Sequence, residues 1–378
     1  MCRRALSVPG MMMNTIPVET LQAWLAAGRP VTVLDVRPAA EREEWAIPGS
    51  LHADAYDALW AGDTAALAGV TLPAGAPVVT VCGEGKTSLL AAEQLRQRSI
   101  VAYSLAGGMR AWSLAWNAAE IGLQRSAARI VQVRRTGKGC LSYLIGSAGE
   151  AAVIDPSLDP KIYVELASEQ GWRITAVLDT HVHADHLSRA QALAAQTGAT
   201  LYLPAQAHVQ YSFSPLSDGG EVVIGQARLV AVHTPGHTEE STSYWLDEEA
   251  LFTGDTLFLN GVGRPDLHTG VAQARPAAQA LYRSLQRISA LPLETLILPA
   301  HSAEPAAFDG RPLVATLSEV QMHTTLLHLG ETAFVTDVLT RIPPAPPNFE
   351  QIIALNQAGI LPNDPTLLEA GANRCAVA

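Results

Sequence analysis

Three histidines and an aspartate crowd into the six residues from His181 to His186, in the stretch THVHADH that begins at Thr180. The flanks fix where this cluster stands. Ile174 to Leu178 (ITAVL) is apolar and β-branched at both ends of its middle, which reads as a buried strand. Leu187 to Gln196 is rich in Ala and Leu and reads as a helix. The cluster therefore occupies a strand-to-helix turn at the carboxyl end of a strand, the edge at which α/β sheets hold their ligands. From such a turn the alternating His181 and His183 aim at one point, and Asp185 and His186 at a second close by. Imidazole and carboxylate together suit zinc, iron or manganese. The plainer alternative is a polar loop in which Asp185 caps the helix, but a cap does not need three histidines.

Later strands end the same way. Leu229 to Val232 runs into HTPGHT, with His237 just past a Pro-Gly turn; Ala250 to Thr253 runs into GDT, with Asp255; Leu296 to Leu298 runs into PAHS, with His301. Taken singly, Asp255 reads as a turn residue and His301 as a satisfied surface group. In this order the seven candidate ligands resemble the signature of the metallo-β-lactamase superfamily, across roughly Ser126 to Gly330. The resemblance implies an αββα sandwich, and strands expected at Ile130 to Val133, Cys140 to Ile145 and Ala151 to Ile154 suit its opening meander. Cys140 reads as a core residue of the second of these rather than a catalytic one.

The first third of the chain has a different pattern. From Pro17 a short helix (Val18 to Ala27) leads to a strand, Val31 to Leu34, that ends in Asp35, Val36 and Arg37. A second strand, Val78 to Val81, runs directly into Cys82 and GEGKTS, then a helix to about Arg98. A third, Ile100 to Tyr103, precedes LAGGMRAW, Leu105 to Trp112. Strand, loop and helix repeating in this way make a small parallel α/β sheet flanked by helices. Asp35 to Arg37, Ile47 to Ser50, the Cys82 loop and Leu105 to Trp112 together resemble a rhodanese, a sulfurtransferase domain. At the end of a strand, with Gly83 and Gly85 letting backbone N–H groups turn inward, the Cys82 thiolate is stabilised by those dipoles. The resemblance implies that Cys82 carries sulfane sulfur as a persulfide; the alternative is a buried structural cysteine. One departure matters. Where rhodaneses commonly carry Arg before Ser88 this chain has Thr87, with Lys86 and Glu84 in the loop, which weakens binding of an anionic donor such as thiosulfate. Lys86 offers a point charge without the bidentate fork.

At 378 residues the chain is long enough for two domains. The expected organisation is a disordered or over-extended start over 1–13, a rhodanese-like domain over 14–118, a linker over 119–128 and a metallo-β-lactamase-fold domain over 129–378. A Pro-rich tail is expected from about 340, where Pro343, Pro344, Pro346 and Pro347 make an extended spacer, with a short helix over Phe349 to Gln357. The net charge of −11 and the absence of a basic run argue against nucleic acid and anionic membranes. No run of about 20 apolar residues is present to span a bilayer. Four scattered cysteines, Cys2, Cys82, Cys140 and Cys375, fit a reducing cytoplasm. Nothing in the sequence fixes oligomeric state, and a homo-oligomer is compatible with it.

The superfamily holds both two-zinc hydrolases and one-iron oxidative enzymes, so the expected fold leaves the chemistry open. In the two-metal arrangement His181, His183 and His237 hold one Zn(II), Asp185, His186 and His301 the other, and Asp255 bridges. In the one-metal arrangement His181, His237 and Asp255 form a facial triad for a single Fe(II), and His183, Asp185, His186 and His301 surround it, holding rings and ordering water. Gly254 to Phe258 and Gly263 to Asp266 resemble the GDxLF and GRxD segments of persulfide dioxygenases. That resemblance implies oxidation of glutathione persulfide with O2 to sulfite and glutathione, with thiosulfate, sulfite or a persulfide exchanged through Cys82. It also places Arg264 near the site, where it binds a substrate carboxylate or supports a ligand; alternatively Arg264 pairs with Asp266 on a surface turn. A glyoxalase II-like hydrolase of acylglutathione thioesters uses all seven ligands but leaves the rhodanese unexplained. A sulfane-sulfur carrier or sensor without turnover is a third reading.

Overall fold

The computed structural model describes residues 14–267, 274–302, 306–371 and 373–377, so the expectation for residues 1–13 lies outside the described residues. The chain separates into two compact units, one built on the residues up to Asn117 together with 136–138 and 307–309, the other on the remainder.

In the first unit, β1 (Thr15–Ile16), α1 (Val18–Ala26), β2 (Thr32–Asp35), α2 (Ala39–Glu44), β3 (Leu51–His52) and α3 (Tyr56–Trp60) are followed by β4 (Val78–Val81), α4 (Thr87–Gln97), β5 (Ala102–Leu105) and α5 (Gly108–Trp112). The sheet runs β1-β5-β4-β2-β3, and every pairing in it is parallel. A parallel sheet must be covered on both faces, which is why β4 is buried along its length and apolar at all positions but Thr80. Val79 and Val81 join the core with Leu21, Met109 and Trp112, and Val78 joins Leu34, Ala91 and Leu95 on the other face. The Asp35 to Arg37 motif proves to be a brace. The fully buried Arg37 guanidinium forks onto both oxygens of Asp35, at 2.7 to 3.2 Å, and also donates to the Trp45 carbonyl at 2.7 Å.

The second unit opens with β6 (Asn117–Ile121), β7 (Arg129–Arg135), β8 (Cys140–Ser147), β9 (Glu150–Ile154), α6 (Pro160–Glu169), β10 (Arg173–Leu178), α7 (Ala190–Thr197), β11 (Thr200–Pro204) and β12 (Ser214–Leu216). A second run holds β13 (Glu221–Ile224), β14 (Ala227–His233), β15 (Thr242–Leu246), β16 (Ala250–Gly254), β17 (Val262–Gly263), α8 (Ala274–Ser289) and β18 (Leu296–Pro299). β19 (Ala315–Thr316), α9 (Leu317–His323), α10 (Glu331–Arg341), α11 (Phe349–Ala358), α12 (Thr366–Glu369) and β20 (Ala376–Val377) complete it. β12 to β6 form a seven-stranded sheet in the order β12-β11-β10-β9-β8-β7-β6, and a six-stranded sheet runs β13-β14-β15-β16-β18-β19. The period-two alternation of β16 and β18 builds the layers. Ala250, Phe252 and Leu298 face the core between the sheets, with Tyr143, Ile145, Ile154 and Leu178 from the other sheet. The intervening Leu251 and Ile297 face the outer layer with Leu281 and Leu285 of α8 and Phe334 and Val338 of α10. The result is the expected αββα sandwich.

Two expectations need correction. Residues 119–121, assigned to the linker, belong with Asn117 and Ala118 to β6 at the edge of the seven-stranded sheet. Ala119 and Ile121 are buried with Glu120 exposed between them, so five residues suffice for an edge strand although no long apolar run announces one. The Pro-rich tail expected from about 340 holds more than the one short helix expected there, which is α11: α12 and β20 follow it, and β20 pairs antiparallel with β17, Val377 opposite Val262, both buried.

Candidate functional site

β10 ends at Leu178, and the candidate metal-binding turn begins with Asp179 and Thr180, as the strand signal predicts. The seven residues singled out from sequence, His181, His183, Asp185, His186, His237, Asp255 and His301, are all buried and gather at one end of the sandwich. Asp185 caps no helix, since α7 begins only at Ala190 with Arg189 at its N-cap. Gly254 carries Asp255 into the site with φ of +53°, and a Cβ there would stand 2.7 Å from Thr180 Oγ1. Glycine is required at that position by both conformation and space.

The seven side chains divide by orientation. His181 faces Thr180 Oγ1 through Nδ1 at 2.9 Å, and His237 donates from Nδ1 to the Arg264 carbonyl at 2.8 Å. Their Nε2 atoms thereby turn toward Asp255 Oδ2, at 3.9 and 3.6 Å. Those separations are too long for hydrogen bonds and lie within the roughly 4.2 Å that two bonds of about 2.1 Å to one ion can span. Asp255 Oδ2 is buried with no hydrogen-bond partner. Two imidazoles and a carboxylate converging in this way fit a facial triad for a divalent ion.

The other ligands are tied to one another. His301 bridges two carboxylates, Nδ1 at 2.6 Å from Asp255 Oδ1 and Nε2 at 2.9 Å from Asp185 Oδ2. Burial disfavours charge on this ring, but the two carboxylates outweigh it and hold His301 well above the usual imidazole range. Asp185 Oδ1 accepts from His186 Nδ1 at 3.0 Å, and Asp185 Oδ2 also faces Asn373 Nδ2 at 3.3 Å. His183 turns Nε2 to Asp155 Oδ1 at 3.2 Å and keeps Nδ1 buried without a hydrogen-bond partner.

Several residues that hold this arrangement were not singled out from sequence. Asp155 accepts from Thr180 N at 2.7 Å and Thr180 Oγ1 at 2.9 Å, so it steers His181 through Thr180 and His183 directly. Only its place at a strand end before a proline hinted at this. Asn356 of α11 donates to the carbonyls of His183 and His186, at 2.8 and 2.9 Å. Glu369 of α12 accepts from Leu187 N at 2.7 Å and pairs with the buried Arg135 and Arg189. Cys140 opens β8 as a buried residue, but it is a member of the site and not of the apolar core: Sγ lies 3.5 Å from Asp185 Oδ2 and 3.8 Å from His186 Nδ1. Burial and Asp185 push this thiol up, yet His186 and His301 prevail and bring it down to about 7. Its apolar strand context hid that role.

Arg264 stands behind His237. Its guanidinium is buried and donates to both oxygens of Asp266, at 2.8 and 2.9 Å, and to the carbonyls of Pro344 and Arg374, each at 3.1 Å. The Asp266 pair expected of a surface turn is therefore present, but inside the fold. These bonds fix the main chain whose carbonyl orients His237.

In the first unit Cys82 follows β4, and Sγ accepts from Gly85 N at 3.2 Å and Ser88 N at 3.4 Å, with Ser88 Oγ at 3.3 Å. Gly85 has φ of +86°, and a Cβ there would lie 2.9 Å from Gly107 N. Gly83 to Ser88 thus form a donor-lined cradle around a buried sulfur. Thr87 is buried at the start of α4. Lys86 and Glu84 are exposed and pair with each other at 2.8 Å, and that pairing holds the Glu84 carboxyl below its usual range.

Residues 135–301 match the metallo-beta-lactamase superfamily, and residues 17–115 match the rhodanese-like domain. The chain belongs to the metallo-β-lactamase superfamily and carries a rhodanese-like domain ahead of it. Within the superfamily it is similar to the hydroxyacylglutathione hydrolase of Methylococcus capsulatus, 37% identical over 157 residues, which is 41% of this chain and 58% of that protein. The corresponding protein of Methylobacterium nodulans is 34% identical over 199 residues, 45% of this chain and 75% of that protein. Among solved structures, ETHE1 from Myxococcus xanthus aligns with a TM-score of 0.54 at 30% identity, over 61% of this chain and 98% of that one. A metallo-beta-lactamase from Staphylococcus aureus aligns with a TM-score of 0.56 at 28% identity, over 62% and 74%.

Proposed function

We propose that this chain is a persulfide dioxygenase that oxidises glutathione persulfide with O2 to sulfite and glutathione at one iron, and that Cys82 exchanges sulfur with the same pool. One observation carries the reading: His181, His237 and Asp255 converge on one point, while Asp185 pairs with His186 and His301 spans the carboxylates of Asp185 and Asp255. The likeness to ETHE1 and the rhodanese-like domain add to it. His181, His237 and Asp255 would hold the ion, which supplies the dioxygen chemistry that no side chain provides. The residues of the chain then position and shield. Asp155, acting through Thr180, and the Arg264 carbonyl lock the two rings, and burial of every ligand keeps bulk water away. His301 stands between the Asp185 and Asp255 carboxylates beside the reacting centre.

Oxygen uptake by anaerobically purified, iron-loaded protein on addition of glutathione persulfide tests this, with sulfite assayed and His181→Ala as control. Uptake matched by sulfite and lost in the variant is expected. An iron-replete protein that consumes no oxygen overturns the reading.

A second reading is a two-zinc hydrolase of acylglutathione thioesters. The names of the M. capsulatus and M. nodulans relatives favour it, and so does the buried His183 Nδ1, a donor left over by the one-metal arrangement. Zinc-loaded protein that cleaves an acylglutathione at two ions per chain would establish it.

A further inference from the structure

Cys82 Sγ meets three polar groups of its loop, the N–H of Gly85 and the N–H and hydroxyl of Ser88. Ser104 stands outside that loop, on β5, and touches both of the residues that supply them. Its Oγ lies 2.8 Å from Ser88 Oγ and donates to the Gly85 carbonyl at 3.4 Å. Cys82, Ser88 and Ser104 are all buried. We propose that Ser104 is a positioning residue for sulfur transfer, setting the Ser88 hydroxyl so that it donates to Cys82 when the sulfur becomes a thiolate. The proposal rests on the reading that Cys82 exchanges sulfur.

The sheet builds the arrangement. β5 lies between β4 and β1, with Ser104 opposite Thr80 on one side and Thr15 on the other, so its main chain is laddered on both sides. Thr80 Oγ1 donates to the Ser88 carbonyl at 2.7 Å, which fixes the main chain of Ser88 in the first turn of α4. With both main chains held, the two hydroxyl protons can rotate while the heavy atoms stay in place.

Those protons have two consistent placements. With Cys82 as a thiol, S–H faces Ser88 Oγ, Ser88 donates to Ser104 Oγ, and Ser104 donates to the Gly85 carbonyl. With Cys82 as a thiolate, both hydroxyls turn round: Ser104 donates to Ser88 Oγ, and Ser88 donates to Sγ. The turn gives up the longest bond of the set, at 3.4 Å, and gains one to a charged acceptor, which is the stronger kind. The thiol proton itself passes to solvent. The thiolate then attacks the sulfane sulfur of a persulfide. A bond forms from Sγ to that sulfur, the donor's S–S bond breaks, and the electron pair leaves on the donor's remaining sulfur as a thiolate. No oxidant or reductant is consumed. The relay thus turns a neutral donor onto the sulfur in a loop that carries Thr87 rather than arginine.

Iodoacetamide is the probe, because it reacts with the thiolate and needs no sulfur transfer. Full-length protein is alkylated across a range of pH and the Cys82 peptide is quantified by mass spectrometry, so the other cysteines do not enter. Ser104→Ala is expected to move the midpoint of the pH profile up by about one unit, a roughly tenfold slower reaction below it, with the limiting rate at high pH kept. Ser88→Ala should move the midpoint at least as far, and that variant does not depend on whether Ser104→Ala folds. Ser88→Ala/Ser104→Ala should match Ser88→Ala within about twofold, because Ser104 acts through Ser88. An unmoved midpoint in either single variant, a change in the high-pH limit alone, as a merely loosened loop would give, or losses that multiply in the double variant would each overturn the proposal. Persulfide formation is not read, so a failure of the proposed function leaves these outcomes as they are.

Discussion

Asp155 shows how much of a metal site lies one residue behind the ligands. A single carboxylate accepts from Thr180 N, Thr180 Oγ1 and His183 Nε2, and so sets the rotation of two imidazoles. Asp155→Asn replaces one acceptor oxygen by a donor that faces other donors. The expected result is a roughly 10–100-fold loss of metal affinity with the fold kept, read by competition with a chelator alongside circular dichroism. Unchanged affinity would show that Thr180 and His183 hold their places without the charge. Gly85 is the counterpart in the sulfur loop. A methyl group at its Cβ position meets Gly107 N at 2.9 Å and must displace an N–H that now points at Cys82. Gly85→Ala should therefore lower the yield of Cys82 persulfide after incubation with a sulfur donor, measured by mass spectrometry, while iron content stays at the parent level.

At the level of elements, the last twenty-odd residues behave as part of the site. α11 brings Asn356, α12 brings Glu369, and β20 pairs with β17 just before Arg264. Glu369 is buried between Arg135 and Arg189, and although burial raises its carboxyl the two guanidiniums prevail and bring it down to about 2. Glu369→Ala leaves two buried cations without their partner and should cost about 3–5 kcal/mol in chemical denaturation. The pH dependence has a definite sign. A carboxyl whose folded value lies below its unfolded value of about 4.3 stabilises the fold fully above that pH. This contribution falls away as the pH drops toward about 2, the folded value. The stability difference between the parent and Glu369→Gln should therefore be flat near neutrality and shrink on acidification below about 4.3. A difference that does not change with pH would rule out an ionised Glu369 as its source.

For the molecule as a whole, the Cys82 loop and the candidate metal site belong to different compact units. The proposed function makes them separable by substrate. With glutathione persulfide supplied directly, Cys82→Ser should consume oxygen at close to the parent rate, because the triad does not need the thiol. With a sulfur donor and glutathione supplied in place of the persulfide, the same variant should fall at least tenfold. Equal loss under both conditions would mean that Cys82 belongs to the oxidation step itself. Among the described residues no helix is long and apolar enough to cross a membrane, in keeping with the absence of any such run in the sequence.

The sequence by itself determined the two folds and the seven candidate ligands. Strands ending in His or Asp are a local pattern, and β9, β10, β16 and β18 all lie where apolar runs stop at or just before such residues. It also located the sulfur loop, because a cysteine between a strand and a helix, with glycines beside it, is legible over a few positions. Only the tertiary structure decided how the ligands are grouped. His301 and Asp185 are far apart in the chain, and no spacing shows that their side chains meet at 2.9 Å and leave the triad to His181, His237 and Asp255. The same holds for Cys140, Asn356 and Glu369, whose local surroundings read as strand core or surface helix. A strand end fixes where a side chain begins, since that depends on neighbours in sequence; which atoms it reaches is set by the packing of segments that the chain brings together from a distance.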